Sequence, residues 1–156
     1  MKKIVRVLFG ISFIVYLLVL TSYIFLKSGG PWPCSSIFEY IKSSSNLIPL
    51  KTIGFYIREI IEGNKRTNPD IPIKNLLGNL ILFMPMGIYL PFFIKKTNKT
   101  RTFLVFMMVL LFSIEILQLL TRRGIFDIDD IILNMLGALI GFAVWQTKGV
   151  QYVLKK

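Results

Sequence analysis

Histidine is absent from the 156-residue chain, and Cys34 is its only cysteine. Without histidine there is no imidazole to act as a general base or as a metal ligand. One cysteine cannot form a disulfide within the chain, nor can it build a zinc site from several thiolates. These absences exclude histidine-dependent catalysis and thiolate zinc sites. They leave the redox compartment and the role of Cys34 open.

Acidic residues are scarce, with 8 Asp and Glu against 19 Lys and Arg. Ten of the basic residues lie at the two termini and around 95–101, in segments that contain no acid. Every acid lies in or beside the two remaining loops, at Glu39, Glu59, Glu62, Asp70, Glu115, Asp127, Asp129 and Asp130. By the positive-inside rule, this separation predicts four spans with both termini in the cytoplasm. It also favours anionic lipid, and it leaves no basic and aromatic surface for a nucleic-acid partner.

Long apolar runs take up much of the chain, which is 54% hydrophobic. A soluble domain of this size could not bury so much apolar surface. Runs at 4–26, 76–94, 102–120 and 131–150 are close to the roughly 20 residues that cross a bilayer. We therefore predict an all-α membrane protein of the plasma membrane, with four transmembrane helices in a single domain, 1–156. The first run is too long for a cleaved signal peptide and is predicted to be a span. No pattern indicates an oligomeric state.

The first loop, 27–75, is too long to be a simple connection. It contains Trp32 in a Gly-Pro-rich turn that we place at the depth of the membrane interface, and a solvated turn over 64–70. Between them, apolar residues recur at helical spacing, which predicts an amphipathic helix on the outer membrane surface or over the bundle. The stripe consists of Ile53, Tyr56, Ile57, Ile60 and Ile61, with Arg58, Glu59 and Glu62 off it.

Polar residues within the apolar runs point to a site. Glu115, Asn134 and Asn79 each lie seven residues from the same end of their own span, which places them in one layer about 10 Å deep. Helical spacing puts further polar side chains on the same three faces. The candidate ligand-binding residues are Asn75, Asn79, Glu115, Gln118, Arg122, Asp127, Asp130 and Asn134. Asp127 is expected to cap the fourth span, with Asp130 in its first turn.

Structural roles compete with this interpretation. Glu115 could pair with Arg122 or Arg123, and the asparagines could hold helices together. For Gly137 and Gly141, close packing of another helix is the favoured role. Pro85 and Gly87 are expected to kink the second span and widen the cavity.

Three segments carry a resemblance to a known family. They are Asn46-Leu47-Ile48-Pro49-Leu50, the run from Asn75 through Asn79 to Gly87, and the series from Glu115 to Gly141. Together they resemble the VanZ-like family over most of the chain, although Leu50 stands where an aromatic residue is expected. The resemblance implies a membrane protein associated with resistance to teicoplanin, a lipid-tailed glycopeptide antibiotic. It implies no settled mechanism.

Two functions follow as hypotheses. The first, which we favour, is a non-catalytic envelope protein whose outward pocket binds membrane lipid, a lipid-linked cell-wall precursor or a glycopeptide, without a cofactor. Arginines there would suit phosphate or carboxylate, and acids would suit amines. The second is an intramembrane enzyme that acts on an envelope lipid or precursor. Glu115 would then be the acid or base, and Asp127, Asp129 and Asp130 could hold a divalent cation.

Overall fold

The computed structural model describes residues 2–26, 36–62 and 70–155. Helices dominate these ranges, together with one 3-10 turn and two short strands. The helices are α1 Lys2–Phe25, α2 Ile37–Ser43, α3 Lys51–Glu62, α4 Asp70–Leu82, α5 Met86–Phe93, α6 Thr100–Thr121, α7 Ile128–Gln146 and α8 Lys148–Lys155. The 3-10 turn is Lys95–Asn98, and the strands are β1 Ser45–Asn46 and β2 Phe126–Asp127.

Four helical segments of the described chain are long and apolar enough to cross a membrane, which confirms the predicted all-α membrane architecture. They are α1, α4 with α5, α6 and α7. The second begins at Asp70, not near residue 76, because an acidic first residue and Pro72 in the first turn both suit a helix start. The fourth ends at Gln146, where Thr147 leaves the helix, so that Val150 belongs to α8 and not to the span.

The second span is broken between α4 and α5, as Pro85 predicted. Pro85 closes a turn over 83–85 and precedes α5, which starts at Met86. A proline cannot donate the backbone hydrogen bond that a continuous helix needs there. The carbonyl oxygen of Ile81, four residues earlier, accepts the N–H of Met84 instead, at 3.2 Å. The carbonyl oxygen of Leu82 accepts a hydrogen bond from the hydroxyl of Tyr16 on α1, at 2.9 Å.

Helix α7 is the centre of the bundle and packs against α4, α5 and α6. Its glycines make this possible, as predicted. A Cβ atom at Gly137 would collide with the carbonyl oxygen of Leu80, and one at Gly141 would collide with that of Met84. Further along, Phe142 stacks on Phe103 of α6 with the ring centroids 4.3 Å apart. The core continues to Trp145, which is fully buried.

The segment between α1 and α4 folds onto the end of the bundle. Its strand β1 pairs in parallel with β2, so that Asn46 lies beside Asp127. Helix α3 follows and packs on α4 and α7. The amphipathic helix is thus confirmed, and Ile53 and Tyr56 of its predicted stripe are half-buried on the docked face. Glu59, off the stripe, is half-buried as well, whereas Ile61 is 78% exposed. Trp32, Cys34 and most of the turn predicted over 64–70 lie outside the described residues.

Candidate functional site

Two neighbouring cavities lie at one end of the bundle, where α6 ends and α7 begins; we call this the acidic end. The mouth cavity has a volume of about 690 Å³ and lies between α3 and the start of α7. The deep cavity has a volume of about 60 Å³ and lies among the spans. Gln118 and Asp130 line both cavities. The two cavities therefore adjoin each other at Gln118 and Asp130.

The deep cavity brings together Asn79, Glu115 and Asn134 from three different spans. Equal depth along each helix predicted this meeting, and the structure confirms it. Tyr23, Leu82 and Phe83 complete much of the wall with apolar surface. Glu115 is 3% exposed and Asn134 is 7% exposed, so neither side chain reaches bulk solvent.

Hydrogen-bond acceptors outnumber donors in the deep cavity. The amide nitrogen of Asn79 donates to the carboxylate of Asp130. One oxygen of Glu115 accepts the backbone N–H of Asp127 at 3.2 Å. The side-chain oxygen of Asn134 is buried and has no hydrogen-bond partner among the described residues. Buried polar atoms are nearly always paired, by protein, water or ligand, so Asn134 marks a place for a donor group.

Asp127 caps α7, as predicted, and also joins the two short strands to α3. One carboxylate oxygen accepts the backbone N–H of Asp129 at 2.9 Å and the amide of Asn46 at 3.0 Å. The other accepts the hydroxyl of Thr52 at 2.6 Å. Asp127 lines the mouth cavity, but both of its oxygens already accept hydrogen bonds from the protein.

Asp129 lies in the first turn of α7, yet its carboxylate caps α3. It accepts the backbone N–H groups of Leu50, Thr52 and Ile53 at 2.6, 2.7 and 3.1 Å. Leu50 has a φ of 65°, a left-handed conformation that aims its N–H at this carboxylate. Residue spacing did not reveal the roles of Asp129, Asn46 or Thr52. In the sequence, the segment Asn46–Leu50 was the available signal for these roles, and it stands out only through the family resemblance.

The VanZ/LLP1 family model matches residues 13–149, which include both cavities and the α3 cap. This chain belongs to the VanZ/LLP1 family. Protein VanZ of Enterococcus faecium is 28% identical over 110 residues, covering 70% of this chain and 57% of that protein. The chain thus matches less than two thirds of that relative's length. No solved structure matches.

The three loop acids of this VanZ-like chain do not form the cation site that the enzyme hypothesis required. Asp127 and Asp129 bind groups that hold α3 and β1, while Asp130 binds Asn79 of α4. No group of three or more Asp, Glu, Cys or His side chains in the described ranges is placed to hold a metal ion. The idea that this trio binds a divalent cation is therefore wrong. Glu115 as an acid or base stays a prediction.

The arginines lie elsewhere than predicted. Arg122 ends α6 in a left-handed conformation, with φ 63°, and is exposed, so it leaves the helix face of Glu115. Arg123 is the arginine that lines the mouth cavity. The carboxylate of Glu115 has no arginine partner in the described part of the chain, and one of its oxygens accepts the N–H of Asp127. The proposed ion pair of Glu115 with Arg122 or Arg123 is therefore wrong.

The remaining candidates line the cavity walls. The amide of Asn75 donates to the hydroxyl of Tyr56 at 3.1 Å and so joins α4 to α3. Gln118 donates to the carbonyl of Ile24 at 3.3 Å, which ties α6 to the end of α1. Burial raises the pKa of Tyr56, and the carboxylates of Asp130 and Asp127 raise it further. Tyr56 therefore stays a neutral phenol at physiological pH.

Proposed function

We propose that this protein is a multi-pass membrane protein of the bacterial envelope that binds an amphipathic ligand through the mouth and deep cavities. The observation that carries the proposal is the buried oxygen of Asn134, which has no partner among the described residues and lines the chamber with Glu115. A purely structural amide would be expected to bond to a neighbouring helix, as Asn79 does.

The orientation follows from the charges. The basic residues of the acid-free segments, where the structure describes them, lie at the opposite end of the bundle, which we call the basic end. The positive-inside rule assigns that end, and with it both termini, to the cytoplasm. The mouth cavity then faces outward at the level of the lipid headgroups of a plasma membrane.

The charges in the two cavities indicate the chemistry of the ligand. The deep cavity offers acceptors on Asn134, Glu115 and Asp130, which suit an ammonium group. The mouth cavity adds Lys51 and Arg123, which suit phosphate or carboxylate. A ligand with an amine at its tip and an anionic group behind it would satisfy both. Amine-bearing lipid headgroups, lipid-linked cell-wall precursors and teicoplanin-type glycopeptides are candidates of this kind.

Membership of the VanZ/LLP1 family links the proposal to antibiotic resistance. Binding at the outer headgroup level would place the protein where a lipid-tailed glycopeptide acts. We therefore propose that the chain contributes to teicoplanin resistance by binding the drug, or a lipid-linked molecule that the drug targets.

The test uses Asn134→Leu and Glu115→Gln in a teicoplanin-susceptible bacterium that expresses the chain. Asn134→Leu removes a buried polar atom, so the folded protein should be as stable as before or more stable. Glu115→Gln keeps an oxygen for the N–H of Asp127 but removes the carboxyl group. Both variants should be abundant in the membrane, and both should return susceptibility to that of cells without the chain.

Ser113→Ala is the matched control, because Ser113 lies on the same helix as Glu115, is exposed, and donates its hydroxyl to the carbonyl of Val109 in that helix. It should keep full resistance. Abundant Asn134→Leu protein with full resistance would reject ligand binding in the deep cavity. Wild-type expression that leaves susceptibility unchanged would reject the resistance role.

A further inference from the structure

A second polar cavity lies at the basic end, remote from the site described above. It has a volume of about 550 Å³ and opens between the start of α1, the end of α5 and α8. Three cationic side chains line it: Lys3 and Arg6 from α1, and Lys95 from the 3-10 turn after α5. Two separate elements thus direct positive charge into one space.

Within the described ranges, no anionic partner is seen for these three cations. Two ion pairs there join Arg58 to Glu62 and Lys74 to Asp70, and neither pair lies at the basic end. The sequence supplies no acid between residues 2 and 38, between 71 and 114, or beyond Asp130. Clustered like charges repel one another, so an anion in this cavity would relieve the repulsion as well as pair with each cation.

The floor of the cavity is built rigidly. The indole N–H of Trp145 donates to the side-chain oxygen of Asn98 at 2.9 Å. The amide nitrogen of Asn98 donates in turn to the carbonyl of Pro91 at 3.1 Å. Trp145 is fully buried and packs edge-on against Phe92. The cavity is therefore shaped before any ligand arrives.

An apolar cavity of about 300 Å³ adjoins the cationic one. Leu154 of α8 lines both. The apolar walls come from α1, α5 and α8, with Phe9, Ile88 and Val150 among them. A ligand that fills both spaces must carry an anionic head and a hydrocarbon chain.

We propose that the basic end holds a binding site for an anionic phospholipid, with its headgroup phosphate among Lys3, Arg6 and Lys95 and its acyl chain along the apolar cavity. A soluble phosphate would use the cations but not the adjoining apolar surface. Basic pockets between membrane helices are known sites for anionic headgroups. The site is independent of the cavities at the acidic end.

The test measures lipid preference through Trp145. Because the chain has two tryptophans, Trp32→Phe leaves Trp145 as the sole tryptophan fluorophore. Quenching of the Trp145 fluorescence by dibrominated phosphatidylglycerol is compared with its quenching by dibrominated phosphatidylcholine, with the purified protein in mixed micelles. The triple variant Lys3→Gln, Arg6→Gln and Lys95→Gln should lose most of the preference for phosphatidylglycerol, on the order of fivefold for each cation removed.

The control variant carries Lys96→Gln, Lys99→Gln and Arg101→Gln, which remove the same charge from the same end without touching the cavity lining. It should keep the preference of the parent protein. Leu154→Ser should weaken binding of phosphatidylglycerol while the protein stays folded, since it removes apolar surface from both cavities. Equal losses in the two triple variants would mean a general surface potential and would overturn the site. Displacement of the lipid by millimolar inorganic phosphate would overturn the lipid assignment.

Discussion

Asp129 connects two helices that are distant in sequence, because it lies in the first turn of α7 while its carboxylate caps the start of α3. Its carboxylate receives three backbone N–H groups at the start of α3, whose first-turn donors would otherwise be unsatisfied. Asp127, two residues earlier, binds Asn46 and Thr52 of the same segment. The two aspartates therefore hold α3 over the mouth cavity, while Asp130 accepts the amide of Asn79 in the deep cavity.

Asp129→Asn should destabilise the protein by about 2 kcal/mol, because an amide NH2 group would face backbone donors in place of one carboxylate oxygen. The amides of α3 should also exchange hydrogen faster. Thermal unfolding in detergent and hydrogen exchange would measure the two effects. Glu62→Gln is the control. Glu62 is exposed, and its ion pair with Arg58 is long, at 4.0 Å, so the pair is weak. The free energy of unfolding should change by about 0.5 kcal/mol or less. Unchanged exchange in α3 with Asp129→Asn would contradict the capping role.

At the scale of elements, α7 meets α4 and α5 through backbone rather than through side chains. The carbonyl oxygens of Leu80 and Met84 occupy the space where side chains of Gly137 and Gly141 would lie. This close approach brings Asn134 of α7 to the same cavity as Asn79 of α4. The packing of small residues thus sets the width of the deep cavity.

Gly141→Ala should destabilise the bundle by roughly 1–3 kcal/mol or more, because its Cβ would press on the backbone of Met84, which cannot move as a side chain would. Gly10→Ala in α1 is the control, since a Cβ there has no atom outside its own helix within 4 Å. It should leave stability unchanged or slightly raise it. Thermal unfolding of the two purified variants would compare them, and equal midpoints would refute the close contact.

Helix periodicity and depth were enough to predict the four spans, the break at Pro85 and the meeting of Asn79, Glu115 and Asn134. They could not predict β1 and β2, because two-residue strands carry no periodic signal. They also misplaced Arg122, since a left-handed cap turns the chain away from the helix face on which the residue was counted. The pattern placed Ile53 and Tyr56 on the docked face of α3 but not Thr52 or Glu59, because long-range bonds to Asp127 and Asp129 orient the start of this helix. The local sequence pattern therefore predicted the helices. The way α3 covers the site depends on hydrogen bonds between distant segments, which a local pattern does not contain.

At the scale of the whole molecule, the two ends of the bundle differ in charge and in chemistry. The acidic end carries a polar cavity among the spans, and the basic end carries a cavity lined by three cations beside an apolar cavity. One fold would thereby present different groups to the two faces of the membrane. The proposed function requires that the acidic end face outward.

Two lysines allow this orientation to be tested with matched substitutions. Lys42 is exposed on α2 at the acidic end, and Lys96 is exposed in the 3-10 turn at the basic end. Each is changed to cysteine in a Cys34→Ser background, so that the introduced thiol is the sole cysteine. In intact cells, a membrane-impermeant maleimide should label the Lys42→Cys protein and not the Lys96→Cys protein, because lysine-rich ends stay in the cytoplasm. After the cells are opened, both should label, which shows that each thiol is reactive. Labelling of Lys96→Cys alone in intact cells would invert the molecule, and it would place the cavity of Asn134 and Glu115 where no extracellular glycopeptide could reach it.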